Sequence, residues 1–269
     1  MLVRVEHTTA YAYSEPLLAS TLYLRKTPLS GHTQAVETWK LTCSGALMTD
    51  WYDQYGNHCH TLTVVQPATE LEIRVSGLVR TRETNGVSGF GQTELPLGIY
   101  LRETDYTLCS APIPDYASRF EPKLARDPIE TLHDIMLAIA DDVAYSKGET
   151  DVHTTGAEAL EQGSGVCQDH AHIFCAVCRT LGVPARYASG YLAQGADSEP
   201  HAASHAWAEA FVEDLGWISF DPSNRACATE SYIRTAVGLD YAEASPVRGV
   251  RSGGGLETMT VSVSFPSQQ

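Results

Sequence analysis

Gly163-Ser-Gly-Val-Cys167-Gln-Asp-His170-Ala-His172-Ile-Phe-Cys175-Ala-Val-Cys178-Arg-Thr-Leu-Gly-Val-Pro184 holds a glycine-flanked turn, a helix and the stop of that helix in one stretch. Ile173, Phe174, Val177, Cys178 and Leu181 share a broad apolar surface at helical spacing, and Gly182-Val183-Pro184 ends the segment. A helix of this kind is expected inside a core. Its first residue, Cys167, stands at the positive end of the helix dipole, where unpaired backbone N–H groups can also receive an anion. Reactive thiols favour such positions. A free cysteine is also a common small apolar residue of cores.

Downstream lie three strand candidates, Ala185 to Leu192, Ala206 to Glu213 and Trp217 to Phe220. Only Asp214-Leu215-Gly216 separates the last two, so they are expected to form an antiparallel hairpin. Upstream, Asp127-Pro128-Ile129-Glu130 reads as a helix start with a capping Asp, a Pro in the first turn and capping-box spacing. Leu132, Ile135, Met136 and Ile139 form its apolar face, and Thr155-Gly-Ala-Glu158 opens a shorter helix before the Cys167 turn. The fold class is α+β, with a helix packed on an antiparallel sheet.

The first eighty residues differ in pattern. Val3-Val5, Ser20-Leu22-Leu24, Val36 to Cys43, His60 to Val65 and Leu71-Ile73-Val75 read as short strands, with a turn at Asp53-Gln-Tyr-Gly-Asn57. This predicts a β-sandwich-like N-terminal domain over residues 1–81 and a second domain over 82–269. Arg82 to Arg126 has no clear period and is read as a connecting segment of the second domain. Met259, Val261, Val263 and Phe265 alternate as a final strand, also assigned there, after a flexible Arg251-Ser-Gly-Gly-Gly255.

The chain has 269 residues, enough for one large domain or two smaller ones. A hydrophobic content of 43% with 19% charged residues is that of a folded protein and argues against a disordered one. The formal net charge of -15 repels nucleic acid and anionic lipid, which excludes both as expected partners. No apolar run has the length of a signal peptide or a membrane span. Seven cysteines without framework spacing fit reduced thiols, so a cytoplasmic location is expected.

A thiol with a pKa of about 8.5 is only a few per cent ionised at neutral pH and needs activation to attack a carbonyl. His205, in Ser204-His-Ala-Trp-Ala-Glu209, can hold the thiol proton and later protonate a leaving group. Asp221, in Trp217-Ile-Ser-Phe-Asp-Pro-Ser223, can orient that imidazole, although Asp before Pro is also a turn initiator. A hairpin would hold the two side chains with little freedom. His170 competes as the base, but neighbours at i and i+3 on one helix lie alongside each other instead of converging on a substrate. Asp169 is read as structural, stabilised by the helix dipole, and His201 as a solvated loop residue.

Cys167, His170, Cys175 and Cys178 include spacings found in zinc sites, but Cys175 and Cys178 fall within a continuous helical pattern, so no metal is expected. Neither Gly163-Ser-Gly165 nor Gly253-Gly-Gly255 matches a phosphate-cradling loop with its lysine. No cofactor is expected.

Together, Gly163 to His172, Cys178-Arg-Thr-Leu-Gly-Val-Pro-Ala-Arg-Tyr-Ala-Ser-Gly-Tyr191, His205-Ala-Trp-Ala-Glu209 and Gly216-Trp-Ile-Ser-Phe-Asp-Pro-Ser223 resemble the transglutaminase-like core of bacteria over residues 127–225. Leu24-Arg-Lys-Thr-Pro28 and Asp53-Gln-Tyr-Gly-Asn57 are similar to the β domain that precedes this core in bacterial members. The resemblance implies a papain-related core with Cys167 as nucleophile, His205 as acid and base, and Asp221 as third member. Tyr145 and Tyr191 match positions near the cleft of such proteins; both also fit core aromatics. A peptide or protein substrate is implied, with the thioester passed to water or an amine. No acidic loop with calcium-ligand spacing is present, so calcium dependence is not implied. A catalytically silent peptide- or protein-binding module on the same fold is the alternative.

Overall fold

The structure is a computed structural model and describes residues 1–90, 95–193 and 204–266; His201 lies outside the described residues. Strand β1 (Leu2–Thr27) runs for 26 residues. Val3, Val5, Tyr11 and Tyr13 point inward along its first half, and Leu17 and Leu24 along its second. The sequence predicts two separate strands here. They are one because the intervening inward sites, His7 and Thr9, are polar and break the apolar alternation without breaking the strand. Those groups are satisfied internally: the buried Lys26 amine bonds His7 Nε2 at 3.0 Å, and His7 Nδ1 bonds the Tyr191 hydroxyl at 2.9 Å.

Strands β2 (Gln34–Cys43), β3 (Ala46–Tyr52), β4 (His58–Val64) and β5 (Ala68–Thr81) extend the sheet. Strand β3 escapes the sequence because nearly every residue in it is exposed, leaving no alternation to read. Strands β4 and β5 run antiparallel along the whole of β1, with a register break between Ala12 and Leu17. The sheet curls across that break around Tyr11, Leu17, Leu24, Leu41, Leu62 and Ile73, the sandwich-like core expected.

The connecting segment supplies strand β6 (Val87–Gly89) and helices α1 (Ile113–Ser118) and α2 (Glu121–Leu124). Helix α3 (Pro128–Asp142) starts where expected, but its signals act differently. The Asp127 carboxylate accepts from Arg126 Nε at 2.6 Å instead of capping, and Glu130 pairs with Lys123 at 3.1 Å. After β7 (Ala144–Tyr145), helix α4 (Gly156–Gln162) starts where the sequence opens it and carries a capping box: Glu158 N donates to Thr155 Oγ1 at 3.2 Å, and Thr155 N donates to the Glu158 carboxylate at 2.9 Å.

Then come β8 (Ser164–Gly165), helix α5 (Cys167–Thr180), β9 (Ala185–Leu192), β10 (Ser204–Val212), β11 (Gly216–Phe220), β12 (Tyr232–Gly238) and the short helix α6 (Tyr241–Ala244). Five strands form an antiparallel sheet in the order β12-β9-β10-β11-β6. The alanines Ala206, Ala208 and Ala210 of β10 join the cluster that contains the apolar face of α5, and small side chains there let the helix lie close to the sheet. Phe174 of the helix stacks on Phe220 of β11 with ring centroids 5.0 Å apart. The β10–β11 hairpin turns through Asp214 and Gly216, both at positive φ.

Strands β13 (Val247–Gly253) and β14 (Glu257–Ser264) correct the sequence reading. The final strand was expected in the second domain, yet β13 and β14 pair with Leu17–Leu24 and Glu6–Tyr13 of β1. They cover the other edge of β1, whose backbone groups would otherwise face solvent unpaired. Arg251–Gly253 is strand, not a flexible link. Gly253, Gly254 and Gly255, all at positive φ, turn the corner beside the place where β1 curls.

The two sheets meet at β12. Its outer edge receives side-chain amides from the first sheet in place of another strand. Gln34 Nε2 donates to Arg234 O at 2.8 Å while Arg234 N donates to Gln34 Oε1 at 2.9 Å, and Asn57 makes the same double contact with Val237. No helix among the described residues is long and apolar enough to cross a membrane.

Candidate active site

The turn before Cys167 is fixed from two sides. Ala144 N donates to Gly163 O and Ser146 N donates to Gly165 O, each at 2.8 Å, so β7 and β8 pair in parallel and hold the glycine segment flat. On the other side, Asp169 Oδ2 accepts from Val166 N at 2.8 Å and from the Thr150 hydroxyl at 2.7 Å. A Cβ at Gly165 would lie 2.7 Å from the Asp169 Cβ, which explains the residue type at that position. Asp169 is wholly buried, and burial raises its pKa against the pull of those hydrogen bonds. It supports the turn, as the sequence suggests.

Cys167 emerges from this turn half-buried at the first position of α5. His205 comes from β10 and Asp221 from the residue after β11, where the register sets Ala208 opposite Phe220 and brings the ends of the two strands together. His205 Nε2 lies 2.6 Å from Asp221 Oδ2. The Cys167 side chain acts on the same imidazole and helps to hold its proton, and with Nε2 engaged by the carboxylate, Nδ1 is the nitrogen left for the thiol. Burial pushes His205 towards neutrality, but the neighbouring Asp221 and Cys167 override it and lift its pKa to about 10. Burial likewise opposes the charge on Asp221, and its bond to His205 outweighs this and holds its pKa below the usual value.

Two residues missed in the sequence complete the carboxylate's surroundings. Asn224 Nδ2 donates to Asp221 Oδ2 at 2.7 Å, and the buried Tyr232 hydroxyl donates to the same oxygen at 2.8 Å. The backbone is held as well, since Asp221 N donates to Ala226 O at 2.9 Å across a tight turn in which Arg225 has positive φ. Asn224 was accessible from the Asp-Pro-Ser-Asn turn pattern. Tyr232 had no local signal.

His170 is turned away from the base role. Its Nε2 bonds Val143 O at 3.0 Å and its Nδ1 bonds the Ser223 hydroxyl at 2.9 Å, while burial lowers its pKa. Tyr145 is half exposed beside His170, with its hydroxyl pKa raised by burial and by the charges of Cys167 and Asp221, which places it at the cleft. Tyr191 is instead a core aromatic bonded to His7. Cys175 and Cys178 are buried with the core face of α5 and do not join Cys167. Among the described residues, no group of three or more His, Cys, Asp or Glu side chains is arranged to hold a metal ion.

A helix packed on an antiparallel sheet, with cysteine at the helix N-terminus and histidine and aspartate at adjacent strand ends, is the architecture of the papain- and transglutaminase-like thiol proteins. Residues 118–222 match the Transglutaminase-like superfamily, and residues 3–80 match the Bacterial transglutaminase-like N-terminal region. An uncharacterised protein of Mycobacterium leprae is 32% identical over 97% of both chains. A protein-glutamine gamma-glutamyltransferase of Pseudomonas aeruginosa is 33% identical over 82 residues, 26% of this chain and 12% of that one. The crystal structure of a Cytophaga hutchinsonii protein described as a candidate cysteine protease covers all of this chain and 92% of its own, with a TM-score of 0.76 and 19% identity, and shares the fold. The chain belongs to the transglutaminase-like superfamily and carries the N-terminal domain of its bacterial members.

Proposed function

We propose that the protein is a thiol enzyme that attacks amide carbonyls of peptide or protein substrates. The observation that carries this reading is the placement of His205, which bonds the Asp221 carboxylate and whose proton the Cys167 thiol helps to hold. In the first half-reaction the Cys167 sulfur forms a bond to the carbonyl carbon, the C–N bond breaks, and the His205 proton passes to the departing amine. Backbone N–H groups at the start of α5 face the developing oxyanion. In the second half-reaction water or an amine, losing its proton to His205, displaces the sulfur from the thioester. Asp221 keeps the ring oriented and its positive charge compensated throughout. The shared stretch with the Pseudomonas aeruginosa glutamyltransferase supports a glutamine side-chain amide as one substrate. Seven free thiols support a reducing, cytoplasmic location.

Trapping the acyl-enzyme from a cell extract and locating the added mass tests the reading and names the acyl group. An adduct on Cys167 that disappears in Cys167→Ala is the expected result. Equal processing of a peptide library by wild type and Cys167→Ala rejects it, as does a Cys167 that iodoacetamide labels no faster than the other six thiols, the behaviour of a binding module.

A further inference from the structure

We propose that Tyr232 is a positioning residue of the site, acting through Asp221, and that the N-terminal sheet serves the reaction by fixing the strand that carries it. The inference rests on the reading of Cys167, His205 and Asp221 as the reacting group. Asp221 is wholly buried, yet its Oδ2 takes three side-chain donors: His205 Nε2 at 2.6 Å, Asn224 Nδ2 at 2.7 Å and the Tyr232 hydroxyl at 2.8 Å. A carboxylate removed from water stays ionised only when donors replace its hydration, and its direction is defined only when they come from separate, rigid elements. Asn224 lies three residues away on the turn Asp221 itself begins, so it moves with the carboxylate. Tyr232 comes from β12, on the far side of β9 and β10, and gives a reference independent of that turn.

The Tyr232 ring is held as firmly as its hydroxyl. It meets Trp207 edge to face with centroids 5.4 Å apart and His205 at 5.9 Å, so one side chain packs against the imidazole while bonding its carboxylate partner. The strand beneath it is pinned on its outer edge by Gln34 and Asn57, which engage the backbone of Arg234 and Val237. Thr81 and the N-terminal amine secure Glu230, two residues before Tyr232. A line of hydrogen bonds therefore runs from the first sheet through β12 to Asp221. This gives the N-terminal domain a place in the chemistry without touching substrate.

The test is the rate of Cys167 alkylation by iodoacetamide near neutral pH, measured for Tyr232→Phe in the wild-type and in the Asp221→Asn backgrounds, with the folded fraction of each variant checked by near-UV circular dichroism. Tyr232→Phe is expected to slow Cys167 alkylation about tenfold in the wild type, the equivalent of one hydrogen bond to a charged group, and to leave the rate unchanged once Asp221 is Asn. Equal slowing in both backgrounds, or none in the wild type while Cys167 still reacts selectively, overturns the positioning role alone. A wild-type Cys167 that reacts no faster than exposed Cys109 overturns the reading beneath it as well.

Discussion

Asn57, on a turn of the N-terminal sheet, bonds both backbone groups of Val237 on the far edge of the second sheet: Nδ2 donates to Val237 O at 2.7 Å, and Val237 N donates to Oδ1 at 2.8 Å. The same amide nitrogen reaches Asp53, which pairs in turn with Arg25 at 3.1 Å, so the turn is braced within its own sheet before it grips the other. Asn57→Ala removes the match and leaves two buried backbone groups unpaired. A loss of about 1–3 kcal/mol in unfolding free energy is expected from denaturant titration. A wild-type midpoint for Asn57→Ala would show that the contact is dispensable.

Asp221→Asn replaces the ionised acceptor of His205 by a neutral amide of the same shape. The fold and the Cys167 thiol should survive, while turnover falls about a thousandfold or more, because the imidazole loses the charge that orients it and stabilises its protonated form. Turnover is measured on whichever substrate the acyl-enzyme trap identifies, and an unchanged kcat rejects the orienting role.

The residues of this site differ in how far they could be read from sequence. Cys167 was legible because its signals are local, a glycine turn followed by an apolar helix. His205 and Asp221 were legible as candidates because a three-residue turn joins their strands, but the register that brings them to 2.6 Å was not. Tyr232 was invisible for a different reason: its partner is reached across two intervening strands, and a lone tyrosine in a buried strand looks like any core aromatic. The long β1 was hidden by His7 and Thr9 at inward sites, and the true location of β14 by a partner at the opposite end of the chain, which no local pattern encodes.

The site should also leave a mark on the pH dependence of stability. His205 has a folded pKa of about 10 against about 6.5 when unfolded, so the folded state binds the extra proton between those values. Its contribution is complete below about pH 6.5 and is lost as the pH rises through 10. Unfolding free energies measured from pH 6 to 10 should fall more steeply for wild type than for Asp221→Asn, where the Asp221 share of the rise is gone and only that of Cys167 remains. Parallel curves would reject the assignment.

Acid should act through other histidines and with the opposite sign. Burial holds His7 and His172 near a pKa of about 3, with Lys26 and Arg179 respectively adding to the effect. Both are neutral in the folded protein, so their contribution is present above about pH 6.5 and is lost as the pH falls towards 3. His172→Gln keeps a nitrogen-bearing side chain that does not titrate. Its unfolding free energy should decline less between pH 6 and 4 than that of wild type, and an equal decline would remove His172 from the account.

Gly165 offers a comparison between two glycines of one chain. An added Cβ would sit 2.7 Å from the Asp169 Cβ and 2.8 Å from its Oδ2, and the carboxylate cannot yield without releasing Val166 N and the Thr150 hydroxyl. Relief must then come from the backbone that carries Cys167. Gly165→Ala should cost about 1–3 kcal/mol of stability, the usual range for overpacking a filled site, and slow Cys167 alkylation together with turnover. Gly98→Ala is the matched control, because a Cβ there meets nothing within 4 Å. Both variants are compared by thermal denaturation and by thiol labelling. If Gly165→Ala behaves like Gly98→Ala in both measurements, Asp169 does not fix the turn, and the placement of the thiol must depend on β7 alone.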